Sequence, residues 1–275
     1  MVCPSLGIGI KDKMALQNKK SLGQNWLKDR IILDEIAELA RGDGISDSIA
    51  ETPVCLEIGP GLGTLTSSLL RIFPEVVAVE YDEKLAYNLP KSFPGKNLEV
   101  IHADFLKFDL ENYPALKKSY VVAGNIPYYI TSPIIQKLLE AKNKPVRIVL
   151  LVQKEVAERI AAGKGNHTVL SLSVQNKAKV TLGPVVSREL FTPVPKVDSQ
   201  VIILESLENQ IIPDDVFTLI KRGFSAPRKK LIKNLGQVSK DDLLKIFEQI
   251  GMSRDVRPAD LDLEDWQKIA TLLTE

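Results

Sequence analysis

The chain has 275 residues, 44% of them apolar and 26% charged, with a formal net charge of +1. These proportions exclude a disordered or fibrous chain, and the length suits one large or two moderate domains. The small net charge, taken alone, argues against a protein held strongly on nucleic acid. The apolar run Ile148–Val152 is far too short to cross a bilayer. The opening residues MVCPSLGIGIKDK lack the charged start and apolar block of a secretion signal. A cytoplasmic protein with no membrane partner is therefore expected. Cys3 and Cys55 are the only cysteines and form no CxxC, so neither a disulfide framework nor a cysteine-metal site is expected. His102 and His167 are the only histidines, and no metal centre is expected around them.

In chain order, residues 1–20 read as flexible, and 25–27 as the approach to a helix that Asp29 could cap. Val54–Ile58, Val76–Glu80, Leu98–His102, Tyr120–Ala123 and Val146–Val152 then read as buried strands. Several are β-branched and continuous, as a sheet covered on both faces requires. Helical segments lie between them at Thr64–Phe73, Asp82–Lys91, Ser132–Ala141 and Lys154–Ala161. This alternation predicts an α/β fold with a doubly wound, mostly parallel sheet. Further strands are expected at Leu170–Val174, Lys177–Leu182 and Gln200–Leu204, around a proline-rich loop Phe191–Ser199. After Glu205 only helical patterns remain: Val216–Phe224, Arg228–Leu235, Asp241–Ile250 and Leu263–Leu273. A boundary near residue 205 divides the chain into an α/β domain, 1–204, and a small all-helical domain, 205–275.

The chemistry-bearing residues fall at the strand ends. Glu57-Ile58-Gly59-Pro60-Gly61-Leu62-Gly63 follows the first buried strand and opens a helix. Glycines there let a ligand approach exposed backbone amides. The spacing is poor for a dinucleotide, whose turn is G-x-G-x-x-G, and suits an S-adenosylmethionine turn better. Glu80 ends the second strand, where a carboxylate can accept from both ribose hydroxyls; the alternative is an acid opening a helix. Asp104 ends the third strand and could accept from an adenine amino group or cap the next turn. Asn125-Ile126-Pro127-Tyr128 ends the fourth. An exocyclic adenine amine is a poor nucleophile because its lone pair is delocalised into the ring. The Asn125 side-chain oxygen and the Ile126 carbonyl can each accept one N–H and so favour a pyramidal nitrogen. Pro127 would stiffen the turn, and Tyr128 offers a ring for an extracted base to stack on.

Several segments in order resemble the KsgA/RsmA family of small-subunit ribosomal RNA adenine dimethyltransferases. They are KKSLGQNWL (Lys19–Leu27), CLEIGPGLGTLT (Cys55–Thr66), VVAVEYD (Val76–Asp82), GNIPYYITSPII (Gly124–Ile135), LVQKEVAERIAA (Leu151–Ala162), FTPVPKVDSQVIIL (Phe191–Leu204) and FSAPRKKLIKNL (Phe224–Leu235). The resemblance implies a Rossmann-like S-adenosylmethionine-dependent methyltransferase domain followed by the helical domain. It implies Asn25, Leu27, Gly59, Glu80, Asp104 and Asn125 as cofactor positions, with Gly61 in the same turn. It implies Phe191 as a residue that helps hold the target base; a core phenylalanine is the plainer reading. The implied reaction is dimethylation of two adjacent adenosines near the 3′ end of small-subunit rRNA. The implied partner is an assembling small ribosomal subunit, and the protein is expected to be a monomer.

Residues 165–174 and Ala226-Pro227 depart from the family's pattern, and Trp26 stands where phenylalanine is usual. The first two departures are expected to touch RNA-facing parts. A related 23S-type adenine methyltransferase conferring macrolide resistance shares N-I-P-Y; FSAPRKKLIKNL and DVRPADLDLEDW (Asp255–Trp266) favour the small-subunit type. A non-catalytic RNA-binding relative is disfavoured by the intact Asn25, Glu80, Asp104 and Asn125. The charge is also segregated along the chain. Residues 34–106 hold 13 acidic and 5 basic side chains, whereas 221–238 hold 6 basic and none acidic. Within that block Arg228, Lys229, Lys230 and Lys233 are candidate contacts to rRNA phosphates.

Overall fold

The computed structural model describes residues 24–42 and 53–274. The expected flexible segment 1–20, Cys3 and the first part of the KKSLGQNWL motif lie outside the described residues. β1 (Trp26–Leu27) leads into α1 (Arg30–Arg41), which Asp29 caps by accepting from Ile32 N at 3.0 Å. β2 (Val54–Ile58), α2 (Thr64–Ile72), β3 (Val76–Glu80), α3 (Glu83–Asn88), β4 (Leu98–His102), β5 (Tyr120–Asn125), α4 (Thr131–Glu140), β6 (Arg147–Gln153) and α5 (Lys154–Ile160) follow in alternation. Then come α6 (Val169–Gln175), β7 (Ala178–Val186), β8 (Phe191–Thr192) and β9 (Ser199–Ser206). Helices α7 (Asp214–Gly223), α8 (Leu231–Asn234), α9 (Lys240–Gln249) and α10 (Leu263–Thr274) end the chain.

Seven strands form one sheet in the order β4-β3-β2-β5-β6-β9-β7. The four pairings from β4 to β6 are parallel, and β9 pairs antiparallel with both β6 and β7. Side chains alternate across the sheet, so each strand feeds two cores. On β6, Ile148, Leu150 and Val152 pack on one face while Val149 and Leu151 pack on the other. That explains the unbroken apolar runs: both faces are covered by helices. β2 has β3 on one side and β5 on the other. The chain order reverses there, and a doubly wound sheet opens a crevice at the carboxyl ends of such strands. A third core joins the C-terminal helices around Trp266, Phe247, Leu231 and Ile220, and Leu172 of α6 inserts into it.

Three expectations are corrected. Leu170–Val174 is not a strand but lies within α6. Its alternating Leu-Ser-Leu-Ser reads as period two, yet Thr168 and Ser171 form a capping box: Ser171 N donates to Thr168 Oγ1 at 3.1 Å and Thr168 N to Ser171 Oγ at 2.8 Å. The expected helix Arg228–Leu235 contracts to α8, because Leu231 N is taken by the Val256 carbonyl at 2.8 Å. The expected helix Asp82–Lys91 tightens into a 3₁₀ turn at Leu89–Ser92, where Pro90 supplies no N–H. In the departing segment 165–174, Gly165 and Asn166 are exposed and His167 is buried. Gly165 N and His167 N both donate to Ala259 O, at 2.8 and 3.2 Å, and Lys164 Nζ bridges Asp262 and Asp265, each at 2.9 Å. It docks the sheet domain onto the C-terminal helices.

Candidate active site

A cavity of about 340 Å³ opens at the carboxyl ends of β2, β3, β4 and β5. Gly59 and Gly61 of the turn after β2 have φ of 65° and 57°, the left-handed region that glycine enters without strain. A Cβ on Gly59 would meet no protein atom within 4 Å, so the turn leaves an open cradle there. A Cβ on Gly61 would approach Trp26 Nε1 to 3.2 Å: the segment before α1 lies against the turn. That segment is held by β8, with Trp26 opposite Thr192 and Leu27 opposite Phe191. Gln24, Asn25 and Trp26 thereby reach the cavity wall.

The acids at the strand ends are arranged in sequence. Glu80 is 4% exposed; its Oε2 accepts from Gly61 N at 3.0 Å and its Oε1 from Asp82 N at 2.8 Å. Each carboxylate oxygen keeps a second lone pair for a ligand hydroxyl. Burial pushes the Glu80 carboxyl upward, and the backbone amides of Asp82, Gly61 and Tyr81 pull it back. The helix-start role belongs to Asp82, which accepts from Lys84 N and Leu85 N. Glu57 is more deeply placed. Burial raises its carboxyl to about 8, Thr66 beside it tempers the rise, and the charge of Glu80 adds to it. Glu57 Oε2 and Thr66 Oγ1 have no hydrogen-bond partner among the described residues. Asp104 caps its own turn by accepting from Leu106 N at 3.0 Å and also lines the cavity. Glu57, Glu80 and Asp104 line this wall, and no described lysine, arginine or histidine does. Glu57 holds its proton to about 8 and so adds no charge at neutral pH; the other two acids favour a ligand bearing positive charge, and the open glycine cradle suits the close approach of a nucleoside.

The Asn125–Tyr128 turn faces the same space. Asn125 Nδ2 donates to the Asn25 carbonyl at 3.0 Å, which commits the amide's donor end and leaves its oxygen as an acceptor. Ile126 is 2% exposed and its side chain is locked in the core, so only its backbone can serve a ligand. The Tyr128 hydroxyl shares a 2.8 Å hydrogen bond with Ser199 Oγ, which holds the ring; burial raises that phenol above its ordinary range.

Asn25, Gly59, Gly61, Glu80, Asp104 and the whole Asn125–Tyr128 turn are thus brought together. Leu27 and Phe191 do not line the cavity; their side chains are buried at 0% and 2% exposure, opposite each other in the β1–β8 ladder. Arg228, Lys229 and Lys233 are exposed, but Lys230 is tied to Asp255. Sequence reasoning missed Glu57, Trp26 and the exposed Tyr129 as cavity residues. Glu57 carried a legible signal, an acid inside an otherwise apolar strand.

A Rossmann-like sheet with this turn, these acids and this tetrapeptide is the framework of a methyltransferase using an S-adenosylmethionine-type methyl donor. The sequence matches the Ribosomal RNA adenine dimethylase family over residues 15–275. It is 36% identical to Ribosomal RNA small subunit methyltransferase A of Dehalococcoides mccartyi, over 97% of this chain and 93% of that one. It is 40% identical to the protein of the same description from Gloeobacter violaceus, over 93% of each. Among solved structures, a dimethyladenosine transferase from Plasmodium falciparum aligns with a TM-score of 0.74 at 29% identity, covering 90% of this chain and 97% of that one. The 23S rRNA methyltransferase ErmE aligns with the same TM-score at 27% identity, covering 91% and 100%. The chain belongs to the ribosomal RNA adenine dimethylase family and is a methyltransferase.

Proposed function

We propose that this protein dimethylates the exocyclic amines of two adjacent adenosines near the 3′ end of small-subunit rRNA, using S-adenosylmethionine. The observation that carries the reading is the Asn125–Tyr128 turn, anchored by Asn25 and Ser199, on the wall of a cavity that the glycine turn and Glu80 complete. The bound cofactor would supply an electrophilic sulfonium methyl. Glu80 would hold the ribose hydroxyls, Asp104 the adenine amino group, and Asn25 and the glycine turn the methionine end. Asn125 Oδ1 and the Ile126 carbonyl would accept the two N–H groups of the target amine and localise its lone pair. Pro127 keeps that carbonyl in place, and the Tyr128 ring supports the flipped base. Attack is in line, and its rate comes mainly from positioning. The methylated aryl ammonium is a strong acid and passes its proton to water, so no dedicated base is required.

The substrate is read as an assembling small subunit in the cytoplasm, met by a monomer whose residues 1–204 carry the chemistry and 205–275 grip the subunit. The small-subunit description of the sequence relatives supports this target. Mass mapping of methylated adenosines on unmethylated small and large subunits, each incubated with enzyme and cofactor, tests it. Dimethylation confined to the small subunit is expected. Modification of the large subunit instead would transfer the reading to the macrolide-resistance type, and no modification of either would leave an RNA-binding protein.

A further inference from the structure

Lys137 takes no part in the proposed chemistry, yet its ammonium makes two hydrogen bonds to the backbone. It lies on α4, the helix that begins just beyond the Asn125–Tyr128 turn. It is half-buried, and its ammonium reaches into the turn that follows β4. Lys137 Nζ donates to Leu106 O at 2.9 Å and to Phe108 O at 2.6 Å, and stands 5.9 Å from the centroid of the Phe105 ring. Neither hydrogen-bonded partner is a carboxylate. A lysine serving only surface charge keeps its ammonium in water; this one is spent on two backbone carbonyls.

Those carbonyls belong to the turn that carries Asp104. Asp104 O accepts from Lys107 N and Phe108 N, both at 2.9 Å, and Asp104 Oδ1 accepts from Leu106 N. The carboxylate's direction is therefore set by the fold of residues 104–108. Asp104, Phe105 and Leu106 all line the cavity. The turn is irregular, and Leu106 is 36% exposed. Lys137 is its cationic tie to the helix that follows the target-amine turn.

We propose that Lys137 is a positioning residue for recognition of the cofactor's adenine. It acts through Asp104, Phe105 and Leu106, and keeps the adenine end of the cavity in register with the Asn125–Tyr128 end. This rests on reading the cavity as the S-adenosylmethionine site. Removing the cation frees the turn, and the selectivity that Asp104 exerts for an amino group at the purine 6-position falls with it.

The test compares calorimetric binding of S-adenosylhomocysteine and of its 6-oxo analogue, S-inosylhomocysteine. The wild type should prefer the first. Lys137→Met keeps the stem without the charge; it should bind S-adenosylhomocysteine at least tenfold more weakly while the preference over the analogue collapses toward one. Lys137→Gln provides a second neutral variant, and Lys137→Arg should restore most of the preference, since a guanidinium can still donate to both carbonyls. A Lys137→Met protein with an unchanged preference overturns the proposal, whether its affinities are intact or equally reduced for both ligands, because a merely structural tie would not distinguish them. A wild type that binds neither ligand overturns the cofactor reading itself, and this inference with it.

Discussion

Asn125 carries the most specific chemistry at the residue scale. Its amide is oriented by the Asn25 carbonyl, so the role proposed for it depends on a partner 100 positions earlier. Asn125→Ala should abolish methyl transfer while cofactor affinity stays within about tenfold, or about 1.4 kcal/mol. Single-turnover assays beside calorimetry check this, and retained turnover would remove Asn125 from amine activation. Glu57 makes a different kind of prediction. In the unfolded chain its carboxyl ionises near the ordinary value of about 4.3, whereas in the fold it holds its proton to about 8. Folding is therefore penalised progressively as pH rises through that interval, with the full penalty above about 8. Glu57→Gln should match the wild type in stability near pH 4 and exceed it increasingly toward pH 8, by on the order of a few kcal/mol. Thermal midpoints of both proteins from pH 4 to 9 measure it; a constant offset would mean that Glu57 is ionised in the fold.

At the element scale, the short β1–β8 pairing matters out of proportion to its length. Two residue pairs bring the segment before α1 over the glycine turn and present Asn25 to Asn125. Phe191 lies in that ladder with its side chain in the core. Phe191→Leu should therefore lower stability by about 1 kcal/mol, yet retain methyl transfer within a few-fold below its melting temperature. A loss of turnover by orders of magnitude in a folded Phe191→Leu protein would show instead that the ring holds the target base. The proline-rich loop between β8 and β9 is braced in the same region. Arg188 N donates to Asp198 Oδ1 at 3.0 Å, and Ser199 holds the Tyr128 hydroxyl. One short stretch of chain thus steadies both ends of the cavity.

For the whole molecule, charge is segregated. The cavity wall is lined by acids, while Arg228, Lys229 and Lys233 stand exposed between α7 and the end of α8. Under the proposed function, an anionic RNA would be drawn to the latter and a cationic cofactor to the former. Replacing Arg228, Lys229 and Lys233 together by Gln should reduce the salt dependence of subunit binding by about two to three in log–log slope. Filter binding from low to physiological salt reads the slope, and an unchanged value would place the RNA elsewhere. Lys230, paired with Asp255, should add less than any of the three.

The sequence by itself determined the class of fold and the strand-end positions. Continuous β-branched runs between helical periods have few other packings, and the Gly59–Gly63, Glu80, Asp104 and Asn125–Tyr128 signals are local in chain. It could not distinguish period two from a capped helix at Leu170–Val174, because the Thr168–Ser171 bonds that decide it do not alter the hydrophobic pattern. Nor could it separate Leu27 and Phe191, core residues, from Trp26 and Glu57, wall residues. Which way a side chain faces depends on strand register, and β1 finds its partner far along the chain, Trp26 opposite Thr192 and Leu27 opposite Phe191. Only the tertiary structure decided that three acids share one cavity, that Lys230 is already paired, and that Lys137 ties α4 to the turn after β4. Each is a contact between segments far apart in sequence, made when the sheet aligns its strand ends along one edge.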